Sequence, residues 1–415
     1  MNEIDVYISL EGLDYRVGTL YRQSVRGKET VSFSYHDEWL ESPQRFSLEP
    51  ALQVSKGVFH SNSELGMFGS IGDSAPDTWG RRLMQRAERR RASIESRQPR
   101  TLFESDYLLG VTDVSRLGAL RFKRNNQDEF QKPEKEGVPG FIHLGRLLNS
   151  VERIENDNET DEDLDLIFAP GSSLGGARPK ASVVDAQCNL AIAKFPKETD
   201  DYPMETWEHV ALILASNAGI SVASHELQTI NNKPVLLSWR FDRNGQERIP
   251  FLSAMSLLQA KDGDRASYID IVDELSQHGA STQADSAELF RRMIFNILVS
   301  NVDDHLRNHG FLWTGKNGWV LSPAYDLNPT PTDIKQRILS TNISLDEGTC
   351  SIELALSQAE FFGLSMSEAR NIISAVGAAV SAWRTVAKGV GLSKSQQDRM
   401  SSAFEHSDLA DAVKL

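Results

Sequence analysis

Between Ser300 and Phe311 the chain reads Ser-Asn-Val-Asp-Asp-His-Leu-Arg-Asn-His-Gly-Phe, and downstream it continues Pro323-Ala324-Tyr325-Asp326-Leu327. Carboxylates and an amide at these intervals have the makings of a phosphoryl-transfer centre. Moving a γ-phosphoryl group takes one carboxylate to orient or deprotonate the acceptor hydroxyl. It also takes an amide oxygen and a second carboxylate to hold Mg²⁺ against the phosphates. Asp303 and Asn308 have the Asp-x-x-x-x-Asn interval of a kinase catalytic loop, and Asp326 stands where the metal-holding Asp follows. His-Arg ahead of such an Asp is replaced by Asn301-Val302, and the Gly of Asp-Phe-Gly by Asn328. The pattern therefore points away from an ordinary eukaryotic-type protein kinase and towards a divergent member of the wider kinase-like class.

These groups need elements to position them, and the upstream sequence supplies candidates. Gly171-Ser172-Ser173-Leu174-Gly175-Gly176-Ala177-Arg178-Pro179-Lys180 precedes a strand pattern at 181–184, followed by another at 190–195. Glycines let backbone N–H groups close on phosphate oxygens, although a Gly/Ser run before a strand also makes an ordinary turn. The order of the parts favours the first reading. Lys194 ends the second strand, where a kinase places its phosphate-binding Lys, and Glu208 lies on the following helical pattern, able to pair with it. Loop, Lys, Glu, Asp-x4-Asn and Asp thus occur in kinase order.

Further upstream, residues 4–60 alternate apolar and polar positions, as in Asp5-Val6-Tyr7-Ile8-Ser9-Leu10 and Val31-Ser32-Phe33-Ser34-Tyr35, the period of antiparallel strands. A helical pattern follows from Pro76 to about Leu109, then a strand at 118–122, so a β-rich module is expected over 1–125. The polar stretch 124–137 and the acid-rich stretch 152–165 read as solvated connectors or exposed helix faces. Arg81, Arg82, Arg86, Arg89, Arg90 and Arg91 make either a solvated helix face or a docking surface for an acidic partner, or for DNA held by one. Beyond Leu364, the positions Ala369, Ile372, Ile373, Val376, Ala379, Val380 and Trp383 follow a helical period and are expected to be core.

Composition bounds the setting. The 415 residues, 40% hydrophobic, suffice for two or three cores, and the formal charge of -14 argues against broad adhesion to nucleic acid. Cys188 and Cys350 alone make neither a disulfide framework nor a zinc site. No apolar stretch reaches membrane-span length and Met-Asn-Glu-Ile-Asp lacks the marks of a leader, so a cytoplasmic protein without membrane partners is expected.

The ordered set of motifs resembles the HipA family of serine/threonine kinase toxins of bacterial type II toxin–antitoxin systems. The resemblance is carried by Ser173 to Lys180, Lys194, Arg240-Phe241-Asp242-Arg243, Asp303 to Asn308 and Tyr325-Asp326, with Pro76-Asp77 and Leu108-Leu109-Gly110-Val111 in the N-terminal module. It implies an α/β, two-lobed, protein-kinase-like fold: a β-rich module over 1–125, an N-lobe-like region over 140–241 and a mainly helical lobe over 242–415. Asp303 would be the catalytic base, Asn308 and Asp326 the Mg²⁺ ligands, and Lys194 the phosphate contact. Gly175, Gly176, Ala177, Arg178, Pro179 and Lys180 would cover ATP, with Trp239, Arg240 and Phe241 facing the adenine through their backbone and His305 and Tyr325 nearby. Ser173, or Ser172 beside it, would be autophosphorylated, placing about two negative charges near the triphosphate. The implied partners are a helix-turn-helix antitoxin of the HipB type, DNA only through that antitoxin, and a protein substrate such as an aminoacyl-tRNA synthetase. Asp304 stands where Gly is frequent and Arg178-Pro179 where some members have Gln-Glu, departures expected to act on substrate choice.

Three other readings compete. Asp303, Asp304, His305 and His309 could ligate a hydrolytic metal if His305 and His309 share a helical face. A small-molecule kinase of the aminoglycoside or choline type uses the same Asp-x4-Asn logic. A catalytically inactive kinase-shaped binding module would be expected to lack Asp303 or Asp326, and both are present.

Overall fold

The computed structural model describes residues 2–25, 27–62, 65–124, 127–131, 138–168 and 176–415. The chain divides into two units, one of residues 1–199 and 228–261, the other of 200–227 and 262–415. The first is sheet-based and the second mainly helical, an α/β architecture.

In the first unit, β1 (Asn2–Leu10), β2 (Leu13–Val25), β3 (Lys28–Tyr35), β4 (Phe59–His60) and β5 (Leu120–Arg124) form one sheet in the order β4-β3-β2-β1-β5. Alternation sets its two faces: Ile4, Val6 and Ile8 are buried while Asp5 and Tyr7 between them are not. The register of β1 on β2 shifts between Val6 and Tyr7, opposite Gly18. A side chain there would be obstructed, because a Cβ on Gly18 would come 2.3 Å from the Ser34 carbonyl oxygen and 2.5 Å from the Phe33 ring. β5 returns to pair with β1, Val6 opposite Phe122, which closes the expected module around a strand distant in sequence.

The helical stretch expected after Pro76 is two helices, Thr78–Ile94 and Glu104–Gly110, the first capped by Asp77, whose Oδ1 accepts from Gly80 N–H at 2.8 Å. Helix Thr78–Ile94 buries Trp79 and Leu83 in a core shared with helix Leu144–Glu155 and with a second sheet, through Leu147, Val151, Ala181, Val183, Phe195 and Leu237. Burying each large side chain of this kind stabilises the unit by about 1.5–3 kcal/mol. The second sheet has the order β6-β7-β9-β8, with β6 (Lys180–Val184), β7 (Leu190–Lys194), β8 (His225–Ile230) and β9 (Lys233–Trp239). The arginine-rich face and the acid-rich stretch prove to be partners. Arg86 binds Asp157 at 2.8 Å and Glu159 at 3.2 Å, Arg90 binds Asp161 at 2.5 Å, and Arg81 grips Glu104 through both terminal nitrogens. Arg82, Arg89 and Arg91 stay exposed.

The second unit is built on helices Met204–Asn217, Tyr268–His278, Thr282–Leu298 and Met366–Ser381 with the hairpin Gly310–Trp313 and Trp319–Leu321. Helix Thr282–Leu298 is its axis, with Leu289, Phe290, Met293, Ile294, Phe295 and Ile297 fully buried. Ala369, Ile373, Val376, Val380 and Trp383 are core, as the period predicts. Among the described residues no helix is long and apolar enough to cross a membrane.

Candidate active site

The Asp303 loop begins where helix Thr282–Leu298 ends. Ser300 adopts a φ of 53° and turns the chain back, its hydroxyl donating to the Ala403 carbonyl at 2.8 Å and accepting from Arg337 Nε at 3.0 Å. Asn301 then bonds Asn296 twice, through its backbone N–H at 2.9 Å and its side-chain amide at 3.0 Å, while its Oδ1 accepts from Asn328 N–H at 3.2 Å. This residue, legible in the sequence only as a departure from His-Arg, fastens the Asp303 loop to the segment of Asp326. An Asn two residues before Asp303 was the signal the sequence offered.

The next two carboxylates face opposite ways. Asp303 is 69% exposed, and Asp304 only 2%. Asp304 accepts from the Tyr268 hydroxyl, which in turn accepts from Asn296 Nδ2 at 2.9 Å, and its carbonyl receives both Thr341 N–H and Thr341 Oγ1 at 2.9 and 2.8 Å. Burial, with the Asp304 charge beside it, pushes the Tyr268 phenol well above its ordinary value, so it stays a donor. His309 stacks edge-on to Tyr268 with Nε2 3.2 Å from Asp304 Oδ1. Asp304, expected to act on substrate choice, points into the unit and stiffens the loop that presents Asp303.

A single 3₁₀ turn, Leu306–Asn308, carries the rest of the motif. Asn308 Nδ2 donates to the Asp303 carbonyl at 3.2 Å, which commits the donor end of the amide. Its Oδ1 is buried and has no hydrogen-bond partner among the described residues. His305 is half-buried at the turn's start, with Nδ1 also unpartnered. Asp326 takes a φ of 58°, a left-handed conformation that Asp tolerates better than most residues and that clusters at functional sites. Around it, Asn328 Nδ2 donates to Asp326 Oδ1 at 3.1 Å, the Tyr325 hydroxyl donates to the Arg307 carbonyl at 2.7 Å, and Ala324 N–H donates to Ser221 O at 2.7 Å. Lys335, which no motif marked, stands 3.5 Å from Asp303 Oδ1.

The other candidate residues lie in the first unit, except Glu208, which is buried on helix Met204–Asn217 of the second. Ser172, Ser173 and Gly175 lie outside the described residues. Gly176 has a φ of 101°, open to glycine and rarely to other residues, and its carbonyl accepts from Trp79 N–H at 3.3 Å. Ala177 and Arg178 are half-buried and Pro179 is buried, its carbonyl accepting from Phe195 N–H at 3.0 Å. The Lys180 ammonium is buried 3.0 Å from Asp77 Oδ2, which leaves backbone rather than this charge for a nucleotide. Lys194, half-buried, pairs across the strands with Lys180.

After β9 the side chains are architectural. Trp239 Nε1 donates to Asp185 Oδ2 at 3.0 Å, and the Phe241 ring lies 6.2 Å from that of Phe251. Arg240 bonds Asp242 through two nitrogens at 2.6 and 2.5 Å and the Ser115 carbonyl at 2.9 Å, while its backbone N–H donates to Leu190 O. Asp242 also accepts from Arg243 at 2.6 Å and Gly118 N–H at 2.6 Å. Burial by itself would raise its carboxyl, but Arg240 and Arg243 bring it down to about 2.

A divalent cation can be tested against this chemistry. Asn308 Oδ1, buried and unmatched, and the Asp326 carboxylate are hard oxygen donors of the kind Mg²⁺ selects. The rival hydrolytic site fares differently. His305 and His309 flank a 3₁₀ turn instead of sharing a helical face, and among the described residues no group of three His, Cys, Asp or Glu side chains is placed to hold a metal.

Known proteins have similar chains. A protein of Haemophilus influenzae, named provisionally as a kinase, is 26% identical over 211 residues, 44% of this chain and 61% of its own length. A Sinorhizobium fredii protein with a similarly provisional kinase name, Y4mE, is 27% identical over 188 residues, 38% of this chain and 42% of its own. The chain thus spans less than two thirds of either relative. Among solved structures, HipA of Shewanella oneidensis MR-1, determined with HipB and its operator DNA, matches with a TM-score of 0.69. That match covers 99% of this chain and 96% of the other at 17% identity, a likeness of fold. The HipA N-terminal domain matches residues 8–105 and the HipA-like C-terminal domain residues 172–383, over half the chain. This chain belongs to the HipA family.

Proposed function

We propose that this chain transfers the γ-phosphoryl group of ATP to a serine or threonine hydroxyl of a protein. The observation that carries the reading is one short loop holding an exposed carboxylate, Asp303, and five residues on a buried amide oxygen that the fold leaves unmatched, Asn308 Oδ1. Buried polar atoms are seldom left so, and each asks for an explanation such as a catalytic role, a water or a bound ion. Asp303 orients the acceptor hydroxyl and takes up its proton. Asn308 and Asp326 would hold Mg²⁺, which when bound neutralises phosphate charge. Lys194 and backbone groups of the loop 175–180 serve the phosphates, the backbone at 239–241 the adenine.

The acceptor class follows from charge. Aminoglycosides and choline are cationic, and an acceptor of that kind at Asp303 would meet the Lys335 ammonium at the same carboxylate. A peptide hydroxyl carries no such conflict. Membership of the HipA family supports the toxin role, an antitoxin partner of the HipB type with DNA reached only through it, a cytoplasmic setting and a target in the translation machinery. It equally supports self-phosphorylation at Ser173, or Ser172, as an off-switch. Incubating the protein with γ-labelled Mg-ATP and either nucleotide-depleted lysate protein or a metabolite pool tests the acceptor class. Label entering protein is expected; label confined to small molecules would reject it. Peptide mass spectrometry of the self-labelled chain is expected to find phosphate on Ser173.

A further inference from the structure

Lys335 follows Ile334 in the exposed segment beyond Asp326 and belongs to none of the motifs that the sequence singles out. Its ammonium donates to the Val302 carbonyl at 3.3 Å and stands 3.5 Å from Asp303 Oδ1. The segment is held against the loop by other bonds. Ser340 Oγ donates to the same Val302 carbonyl at 2.9 Å, Thr341 donates twice to the Asp304 carbonyl, and Arg337 reaches Ser300 Oγ at 3.0 Å and the Ile297 carbonyl at 2.9 Å. Lys335 and Asp303 are 49% and 69% exposed, and an ion pair so solvated contributes little to folding. Stability therefore does not account for a cation at this spot.

Geometry does. A hydroxyl oriented by Asp303 lies about 2.6–3.2 Å from its carboxylate. The phosphorus that the hydroxyl attacks lies about 3–3.5 Å further on. A four-carbon stem whose ammonium rests beside that carboxylate spans both positions. Resting on the phosphotransferase reading above, we propose that Lys335 is a further catalytic residue, its ammonium meeting the equatorial oxygens of the phosphoryl group as it passes to the acceptor. Before transfer the same ammonium holds Asp303 in one orientation. During transfer the charge on those oxygens grows at the point where the cation already stands, and Lys335 neither gains nor loses a proton.

The test compares the full-length wild type with K335M, K335R, D303A and the surface control K394M. Each is followed by single-turnover labelling of nucleotide-depleted lysate protein from γ-labelled Mg-ATP, by calorimetry with Mg-ATP and by thermal melting. K335M is expected to lose about 10²-fold in transfer rate, the scale of removing one preorganised electrostatic contact. Its Mg-ATP affinity and melting temperature should stay those of K394M, and K335R should recover most of the rate. Transfer by K335M at the wild-type rate while D303A is dead would overturn the role of Lys335 and leave the phosphotransferase reading standing. Equal losses in K335M and K335R, or a loss of nucleotide affinity matching the loss of rate, would also overturn it. A wild type that labels nothing would remove the phosphotransferase reading and this role together.

Discussion

Residues 240–248 of the first unit and 303–309 of the second both bury polar and charged groups, and they treat them in opposite ways. In the first, Asp242 answers Arg240 and Arg243, while Asp113 answers Arg121 at 2.7 Å and Arg248 at 2.8 Å. Each buried charge there has a counter-charge within the unit, although one terminal nitrogen of Arg248 is buried without a hydrogen-bond partner among the described residues. In the second, Asn308 Oδ1 and His305 Nδ1 are buried without partners among the described residues, and Asp303 is turned out to solvent. Charges answered within the unit are architecture, whereas an unmatched amide oxygen five residues from an exposed carboxylate is open to something that arrives. That difference separates Arg240, whose side chain the fold consumes, from Asn308, whose oxygen it withholds.

Substitutions on the two sides of this comparison should fail differently. Arg240→Ala leaves the fully buried Asp242 carboxylate with only Arg243 and the Gly118 N–H, and removing one partner of a buried charge network costs up to about 3–5 kcal/mol. Chemical denaturation should show that loss, and a variant as stable as wild type would break the contrast. Asn308→Leu should reverse the pattern. It forfeits one hydrogen bond, about 1 kcal/mol, yet lowers phosphoryl transfer by about 10²-fold or more. Melting curves beside labelling rates check both halves.

Acidity sharpens the comparison further. Asp242, held at about 2 against an ordinary 3.8, binds its proton less tightly when folded. Its contribution, roughly 2 kcal/mol, is present above pH 3.8 and lost as pH falls through 2. Glu49 has the opposite sign. Burial raises its carboxyl to about 7 although Ser70 N–H donates to it at 2.5 Å, so the stability it supplies is full below pH 4.5 and lost as pH rises through 7. Glu49→Gln should therefore flatten the decline in stability between pH 5 and 8 seen by thermal melting, and an unchanged decline would place its cause elsewhere. The smallest effect is expected from the His209 and His225 pair, whose Nδ1 atoms lie 2.9 Å apart. Burial and the neighbouring imidazole lower His209 to about 4, so its share of stability holds above pH 6.5 and fades as pH falls towards 4. His209→Gln should remove that acid-side slope.

Much of this was legible in the sequence where the physics is local. Strand alternation in Ile4, Val6 and Ile8, the helical period of Ile373, Val376 and Val380, and the interval from Asp303 to Asn308 are each written within a few residues. What could not be read are meetings of distant segments. The return of β5 to β1, the capture of Arg86 by Asp157, the Lys180–Asp77 pair and the approach of Lys335 to Asp303 depend on how the chain closes. Asp304 shows a subtler limit: adjacent carboxylates look alike in sequence, and only the Tyr268 hydroxyl and Thr341 reveal that one faces inward.

The central claim is that Asp303 and Asp326 divide the chemistry, one acting on the acceptor and the other on the metal-bound nucleotide. Calorimetric titration of Mg-ATP into Asp303→Ala and Asp326→Ala tests it most directly. Both variants should be inactive in transfer, but Asp303→Ala should bind Mg-ATP as wild type does, because its role belongs to the transition state, while Asp326→Ala should bind it far more weakly. Undiminished Mg-ATP affinity in Asp326→Ala would contradict the account.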